Sequence, residues 1–126
     1  MKEFLTICAG ACAGATSRYY LGLWVASRLG TTFPFGTFLI NITGCLVLGF
    51  FGTLAAERAT VVPPELRLLI AVGFTGSYTT FSTFGFETIR MLEEGDVLLA
   101  IAYVLGSVGV GLLATYLGLV AARSLP

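Results

Sequence analysis

The third of four apolar stretches in this chain is interrupted by the run Gly73-Phe74-Thr75-Gly76-Ser77-Tyr78-Thr79-Thr80-Phe81-Ser82-Thr83-Phe84. Two glycines and seven hydroxyl-bearing residues fall between Gly73 and Thr83. The four stretches lie near Phe4–Ser27, Gly36–Ala56, Leu66–Met91 and Val97–Ala122. A helix needs about 20 residues to cross a hydrocarbon core about 30 Å thick, and each stretch supplies them. Backbone groups in lipid must be hydrogen-bonded internally, so a polar, glycine-containing break is tolerated only where protein buries it or water lines it. Broken helices also expose free carbonyls and amides that hold ions. The chain therefore reads as an all-α membrane protein with four transmembrane helices, the third broken, and the break is the first place to look for function. The alternative for the hydroxyls is back-bonding to their own helix, which accounts for one serine more readily than for this density.

Composition agrees. The 126 residues are 56% hydrophobic and only 11% charged, with a mean hydropathy of +0.92. A soluble domain carries about 25% charged residues, so there is too little charge here to coat a water-facing surface. Seven basic residues balance seven acidic ones, leaving no basic stripe for a nucleic acid. The chain has no histidine, and Cys8, Cys12 and Cys45 lie inside apolar stretches, so a side-chain metal site lacks ligands at suitable spacing. Cys8 and Cys12, four apart, read as small packing residues. The first stretch is too long for the apolar region of a signal peptide, and only Lys2 stands before it as a basic residue.

Short punctuated turns connect the stretches: Thr31 to Gly36, Val62-Pro63-Pro64-Glu65, and Glu93-Glu94-Gly95-Asp96. No linker, repeat or low-complexity segment marks a second unit, and residues 1–126 are expected to form a single four-helix transmembrane domain. The seven carboxylates fall at or near the ends of the stretches. Proton-coupled transporters bury ionisable relays in the membrane, so passive flow fits this pattern better than coupled pumping. With four spans, Lys2, Arg58, Arg67 and Arg123 lie on one side and Arg18, Arg28 and Arg90 on the other. Four against three is a weak orientation signal. It is compatible with one modestly biased topology, or with insertion either way up, which permits an antiparallel homodimer.

Several side chains are candidates for ion handling. Phe81 and Phe84, three apart, share a helix face; they serve core packing, or present ring edges, which carry positive potential, to an anion. Ser82 and Thr83 add hydroxyl donors beside them. Asn41, the one amide side chain of the second stretch, either donates to a desolvated anion or makes an interhelical hydrogen bond. Tyr103, Ser107, Gly111 and Thr115 recur every four residues on one face of the fourth stretch, suiting close helix packing or a ladder of donors along a pore. Gly10 and Gly14 read as packing only. Arg18, well inside the first stretch, either snorkels to the interface or places positive potential in an aqueous vestibule.

Gly36-Thr37-Phe38 with Asn41 and Gly44, followed by Gly73-Phe74 and Thr79-Thr80-Phe81-Ser82-Thr83-Phe84 with Glu87, resembles the signatures of the Fluc (CrcB-type) fluoride channels, and the likeness runs the length of the chain. It implies a dual-topology homodimer of four-span subunits in the cell membrane, with two antiparallel pores that pass fluoride out of the cytoplasm and relieve its toxicity. Phe81, Phe84 and Asn41 would line each pore, Ser82 and Thr83 would sit beside the break, and Tyr103, Ser107 and Thr115 would mark a polar track, with Arg18 in the vestibule. The same resemblance implies one structural Na⁺ at the dimer interface, held by the backbone carbonyls of Gly76 and Thr79. Gly85 and Gly111 depart from the pattern, standing where hydroxyl residues are frequent.

Two other readings remain. A small proton-coupled multidrug exporter would have this size, but it needs a carboxylate embedded in the first span, and Glu3 precedes that span. A structural subunit of a larger membrane complex would leave the polar break without a purpose.

Overall fold

The computed structural model describes residues 1–58, 60 and 62–125, and among these every regular element is a helix. Helix α1 (Lys2–Leu29) runs unbroken for 28 residues and stops at Gly30, whose φ of 79° is open to glycine; its amide still closes onto the Ala26 carbonyl. Helix α2 (Phe35–Glu57) starts directly after Pro34. The chain then re-enters through Pro63 and Pro64, the second of these in the first turn of α3 (Pro64–Arg67). A π-helical segment, Leu68–Thr75, continues into the short α4 (Gly76–Tyr78). After it, Thr79 (φ −77°, ψ 158°) and Thr80 (φ −150°, ψ 110°) are extended, and α5 (Phe81–Glu93) begins. A turn at Gly95 (φ 89°) leads into α6 (Val97–Arg123).

Two of these helices, Phe35–Glu57 and Val97–Arg123, are long and apolar enough to cross a membrane by length and composition. Helix α1 matches them in length but is less apolar, and the third region is divided into pieces each shorter than a span. The outward faces of α1 and α6 are rich in large apolar and aromatic residues, among them Tyr20, Trp24, Leu98, Leu105 and Leu112, an exterior compatible with lipid.

Close helix packing rests on small residues. Gly10 and Gly14 of α1 lie against the backbone of Leu69, Gly73 and Phe74, where any Cβ would overlap a carbonyl oxygen. Gly49 of α2 lies on the Thr115 backbone, and Gly118 of α6 lies on Leu46 and Phe50. Without a hydrophobic force between helices in lipid, backbone approach of this kind supplies the attraction through dispersion. The contact order gives directions: Phe38 meets Gly106, Cys45 meets Gly111, and Gly49 meets Thr115. Helices α2 and α6 therefore run parallel, and their C-terminal ends are tied by Arg123, which donates to Glu57 at 2.6 and 3.0 Å. A core of Met91, Ala100 and Tyr103, with Phe33, Phe38, Phe84 and Leu99 packed against it, joins α5 to α6 and the α1–α2 connection.

Candidate functional site

The polar run sits where three helices converge on the extended pair Thr79–Thr80, and each piece is fixed by a different neighbour. The portion before the pair is fastened to α1: the Ser77 hydroxyl is shared among the carbonyls of Ala11 (3.0 Å), Gly73 (2.7 Å) and Phe74 (3.2 Å). The Tyr78 hydroxyl pairs with Thr43 of α2 at 2.8 Å, and its ring stacks on Phe74. Gly44 of α2 lies so close that a Cβ there would overlap the Thr79 methyl.

The extended pair itself is bound by Asn41. Its Nδ2 donates to the Thr80 carbonyl at 3.1 Å, and its Oδ1 accepts the Thr80 amide at 2.8 Å. One side-chain amide thus replaces both bonds that Thr80 would make inside a helix. One Nδ2 hydrogen remains beyond the pair of bonds, since a carboxamide carries two donors. Thr80 in turn caps α5, its Oγ1 accepting the Thr83 amide at 3.2 Å. The Thr83 and Ser82 hydroxyls lie 2.9 and 3.3 Å from the same oxygen.

The carbonyls of Gly76 and Thr79 are affected directly. In a continuous helix they would accept the amides of Thr80 and Thr83, and those two amides go instead to Asn41 Oδ1 and Thr80 Oγ1. The Thr79 amide and hydroxyl both go to Thr75, at 3.1 and 3.0 Å. Gly76 is exposed, with open space where a side chain would be.

Beyond the break, Phe81 projects from the protomer, 83% exposed, while Phe84 packs inward with its centroid 5.0 Å from that of Tyr103. The two phenylalanine rings remain 5.6 Å apart, tilted by 40°. Ser82 and Thr83 are exposed beside them. Tyr103 has no exposed surface, and its hydroxyl donates to Glu87 Oε2 at 2.7 Å; Thr37 donates to Glu87 Oε1 at 2.8 Å. The sequence reading grouped Glu87 with the carboxylates near span ends. The structure turns it inward between α2 and α6, so Glu87 and Thr37, which the sequence marks only as part of the family signature, meet beside the cleft. Glu87 stands one helical turn after Thr83, and that spacing is the signal composition leaves out.

One turn past Tyr103, Ser107 buries a hydroxyl oxygen that has no partner in the protomer. Two turns further along, the Thr115 hydroxyl is spent on the Gly111 carbonyl at 3.0 Å, and its backbone is the surface on which Gly49 rests. Arg18 lines a cleft of about 870 Å³ together with Thr37, Thr80, Thr83, Glu87 and Arg90. The cleft opens onto the break from the side where α1 gives way to α2.

Helices throughout the described residues, two of them long and apolar enough to cross a membrane, with a polar interruption at which two amides leave their helical carbonyls, are the pattern of a membrane protein. Its sequence matches the model of the family described as CrcB-like protein, Camphor Resistance (CrcB), over residues 5–119, and the chain belongs to that family. It is 50% identical over 123 residues to the Fluoride-specific ion channel FluC of Trichormus variabilis, covering 98% of this chain and 90% of the relative. It is 48% identical over 118 residues to the protein of the same name from Chloroflexus aurantiacus, covering 94% and 93%. The relative from Pelobacter propionicus, also so named, is 45% identical over 125 residues, covering 99% and 96%. These relatives are named as channels, a class that catalyses no reaction.

Proposed function

We propose that this chain is the subunit of a fluoride-selective passive channel, assembled in the cell membrane as an antiparallel homodimer of four-span protomers with two pores, and that it releases fluoride from the cytoplasm. The observation that carries the reading is the set of partners assembled at the break in a chain half-identical to named fluoride channels. Asn41 has a donor to spare, Phe81 and Phe84 offer ring edges, Ser82 and Thr83 offer hydroxyls, and Arg18 faces the adjoining cleft. Fluoride is small and strongly hydrated, so a narrow path must replace its water; the amide, the hydroxyls and the ring edges do so without full charge and let it leave again, while Arg18 gathers anions in the cleft outside.

The third segment acts as one broken span. It brings the C-terminal end of one helix and the N-terminal end of another to the same place, and their dipoles present opposite signs. The C-terminal end suits a cation. Na⁺ would be held there by the carbonyls of Gly76 and Thr79 from both protomers, and those two carbonyls are free of the helical amides that would otherwise occupy them. When bound, the ion supplies fixed positive charge that joins the two protomers. The N-terminal end, at Phe81 to Phe84, suits an anion.

Along α6, Tyr103 and Ser107 continue the anion path. A buried hydroxyl without a partner costs about 1–3 kcal/mol, and a passing fluoride would be the acceptor that Ser107 lacks. We assign Thr115 to packing against α2, because its hydrogen is already committed.

The test is efflux from liposomes. Purified protein is reconstituted with fluoride and chloride inside, the voltage is set by an ionophore, and both anions and internal pH are followed. Rapid fluoride loss with chloride retained and no stoichiometric proton movement is expected. Glu87 is a part-buried carboxylate, so the pH arm separates a channel from a proton-coupled exporter. A well-folded sample that retains its fluoride would refute the channel.

A further inference from the structure

Thr80 is buried, with 8% of its surface exposed. A buried amide without an acceptor is rare and costly. If Asn41 Oδ1 were absent, the acceptor a helical readjustment would bring to the Thr80 amide is the Gly76 carbonyl, four residues back. In the same way, without the Thr80 hydroxyl, the Thr83 amide would turn to the Thr79 carbonyl and α5 would grow backwards by a turn. The break is thus opposed at two points by the ordinary tendency of a helix to continue, and two side-chain oxygens hold it open.

We propose that Asn41 and the Thr80 hydroxyl are positioning residues for a cation site: by accepting the amides of Thr80 and Thr83 they keep the carbonyls of Gly76 and Thr79 free to hold Na⁺. The inference rests on the Na⁺ reading given above and goes beyond it. It makes the pore-side amide of Asn41 a support of the cation site as well as a donor to fluoride. The carboxamide is suited to both tasks because its planar shape matches a peptide group, closing a two-bond pair with Thr80 while leaving one hydrogen free. The cation site and the anion path would then be coupled through one side chain, and damage at Asn41 would be felt in both.

The proposal separates variants that a purely anion-binding role would treat alike. Asn41→Ala removes the acceptor for the Thr80 amide and lets it close onto Gly76. Asn41→Asp loses the donors but keeps an oxygen for that amide. Thr80→Ala removes the cap, and Thr80→Ser restores it. Each protein is purified and reconstituted at graded Na⁺, with N-methyl-D-glucamine as the balancing cation. Bound sodium is measured by atomic emission, thermal unfolding is followed at each Na⁺ concentration without fluoride, and fluoride efflux is recorded in parallel.

For Asn41→Ala and Thr80→Ala, the Na⁺ concentration giving half of the thermal stabilisation should rise at least about ten-fold, one pK unit of weakened binding, with less sodium retained. Thr80→Ser should stay within about two-fold of wild type, well inside that margin. Asn41→Asp should lose fluoride flux with its Na⁺ half-point no higher than wild type. If Asn41→Ala loses flux with an unshifted Na⁺ half-point, Asn41 is an anion contact only and the proposal is overturned. Should Asn41→Ala fail to form a dimer, the Thr80 pair decides, and an unshifted half-point in Thr80→Ala overturns it equally. A wild type that neither retains sodium nor responds to it removes the Na⁺ reading itself, and this inference with it; efflux in the same samples shows whether the fluoride reading survives.

Discussion

The hydroxyl of Tyr103, on a side chain with no exposed surface, donates to Glu87 Oε2 at 2.7 Å and joins α6 to α5. Because Thr37 of α2 donates to the other oxygen at 2.8 Å, one carboxylate gathers three elements around the cleft that contains Arg18. Tyr103→Phe keeps the ring and its contacts with Phe33 and Phe84 but withdraws one donor from that carboxylate. A loss of about 1–3 kcal/mol is expected, read as a lower thermal midpoint in detergent, together with slower fluoride efflux. Thr37→Val should act in the same direction. Unchanged midpoints in both variants would show that the carboxylate is supported elsewhere.

Two glycines near the break should respond oppositely to the same added methyl group. At Gly44 a Cβ would overlap the Thr79 methyl, so Gly44→Ala pushes on the extended pair and should cost about 1–3 kcal/mol, as overpacking does. At Gly85 nothing in the protomer lies within 4 Å of the new atom. Gly85→Ala in the interior of α5 should therefore hold stability or raise it by about 0.5–1 kcal/mol. Thermal melts of the two purified variants, side by side with wild type, decide the matter.

Phe81 and Phe84 differ in what their loss should cost. Phe84 is part of the packed cluster around Tyr103, so Phe84→Ile should lower both stability and flux. Phe81 is 83% exposed in the protomer, and Phe81→Ile should leave the protomer fold intact while lowering flux. A combined measurement of midpoint and efflux reveals the split, and wild-type flux in both variants would refute the assignment of these rings to the pore.

Ser107 and Thr115, two turns apart on α6, give a third contrast. Ser107→Ala removes a buried hydroxyl oxygen that has no partner, so the thermal midpoint should hold or rise while fluoride efflux slows. Thr115→Val removes a hydroxyl already bonded to Gly111 and should slow efflux far less than Ser107→Ala. Equal losses would restore Thr115 to the anion path.

Hydropathy located α2 and α6 to within a residue or so, because long uniform apolar runs leave few alternatives. Of the turn residues, Gly95 adopts a backbone conformation that favours glycine and Pro64 opens α3, whereas α2 already begins at Phe35, inside the turn expected to run to Gly36. The concentration of hydroxyls from Thr75 to Thr83 marked the stretch in which Thr79 and Thr80 leave the helix. Other features were not legible in composition or spacing. Leu68–Thr75 is π-helical, yet its residues are those of any apolar helix, and its seat against Gly10 and Gly14 of α1 is a tertiary contact. Asn41 could be recognised as costly at depth, but its partner lies 39 residues away, a distance over which periodicity says nothing. Glu87 looked like an end-of-span carboxylate because only the packed structure shows that α5 turns it towards Thr37 and Tyr103.

The helix pairings that rest on Gly10, Gly14 and Gly49 also bear on how the chain is made. The glycines of α1 meet Leu69 to Phe74, and Gly49 of α2 meets Thr115. When the first half of the chain leaves the ribosome, neither helix has the surface it was shaped to receive. A soluble protein in that state would expose its future core to water and risk aggregation. Here the waiting faces are narrow, small-residue seams, and lipid tails fill them without a hydrophobic penalty. The seams that permit close contact in the finished protein also let its early half wait safely in the bilayer for the rest to arrive.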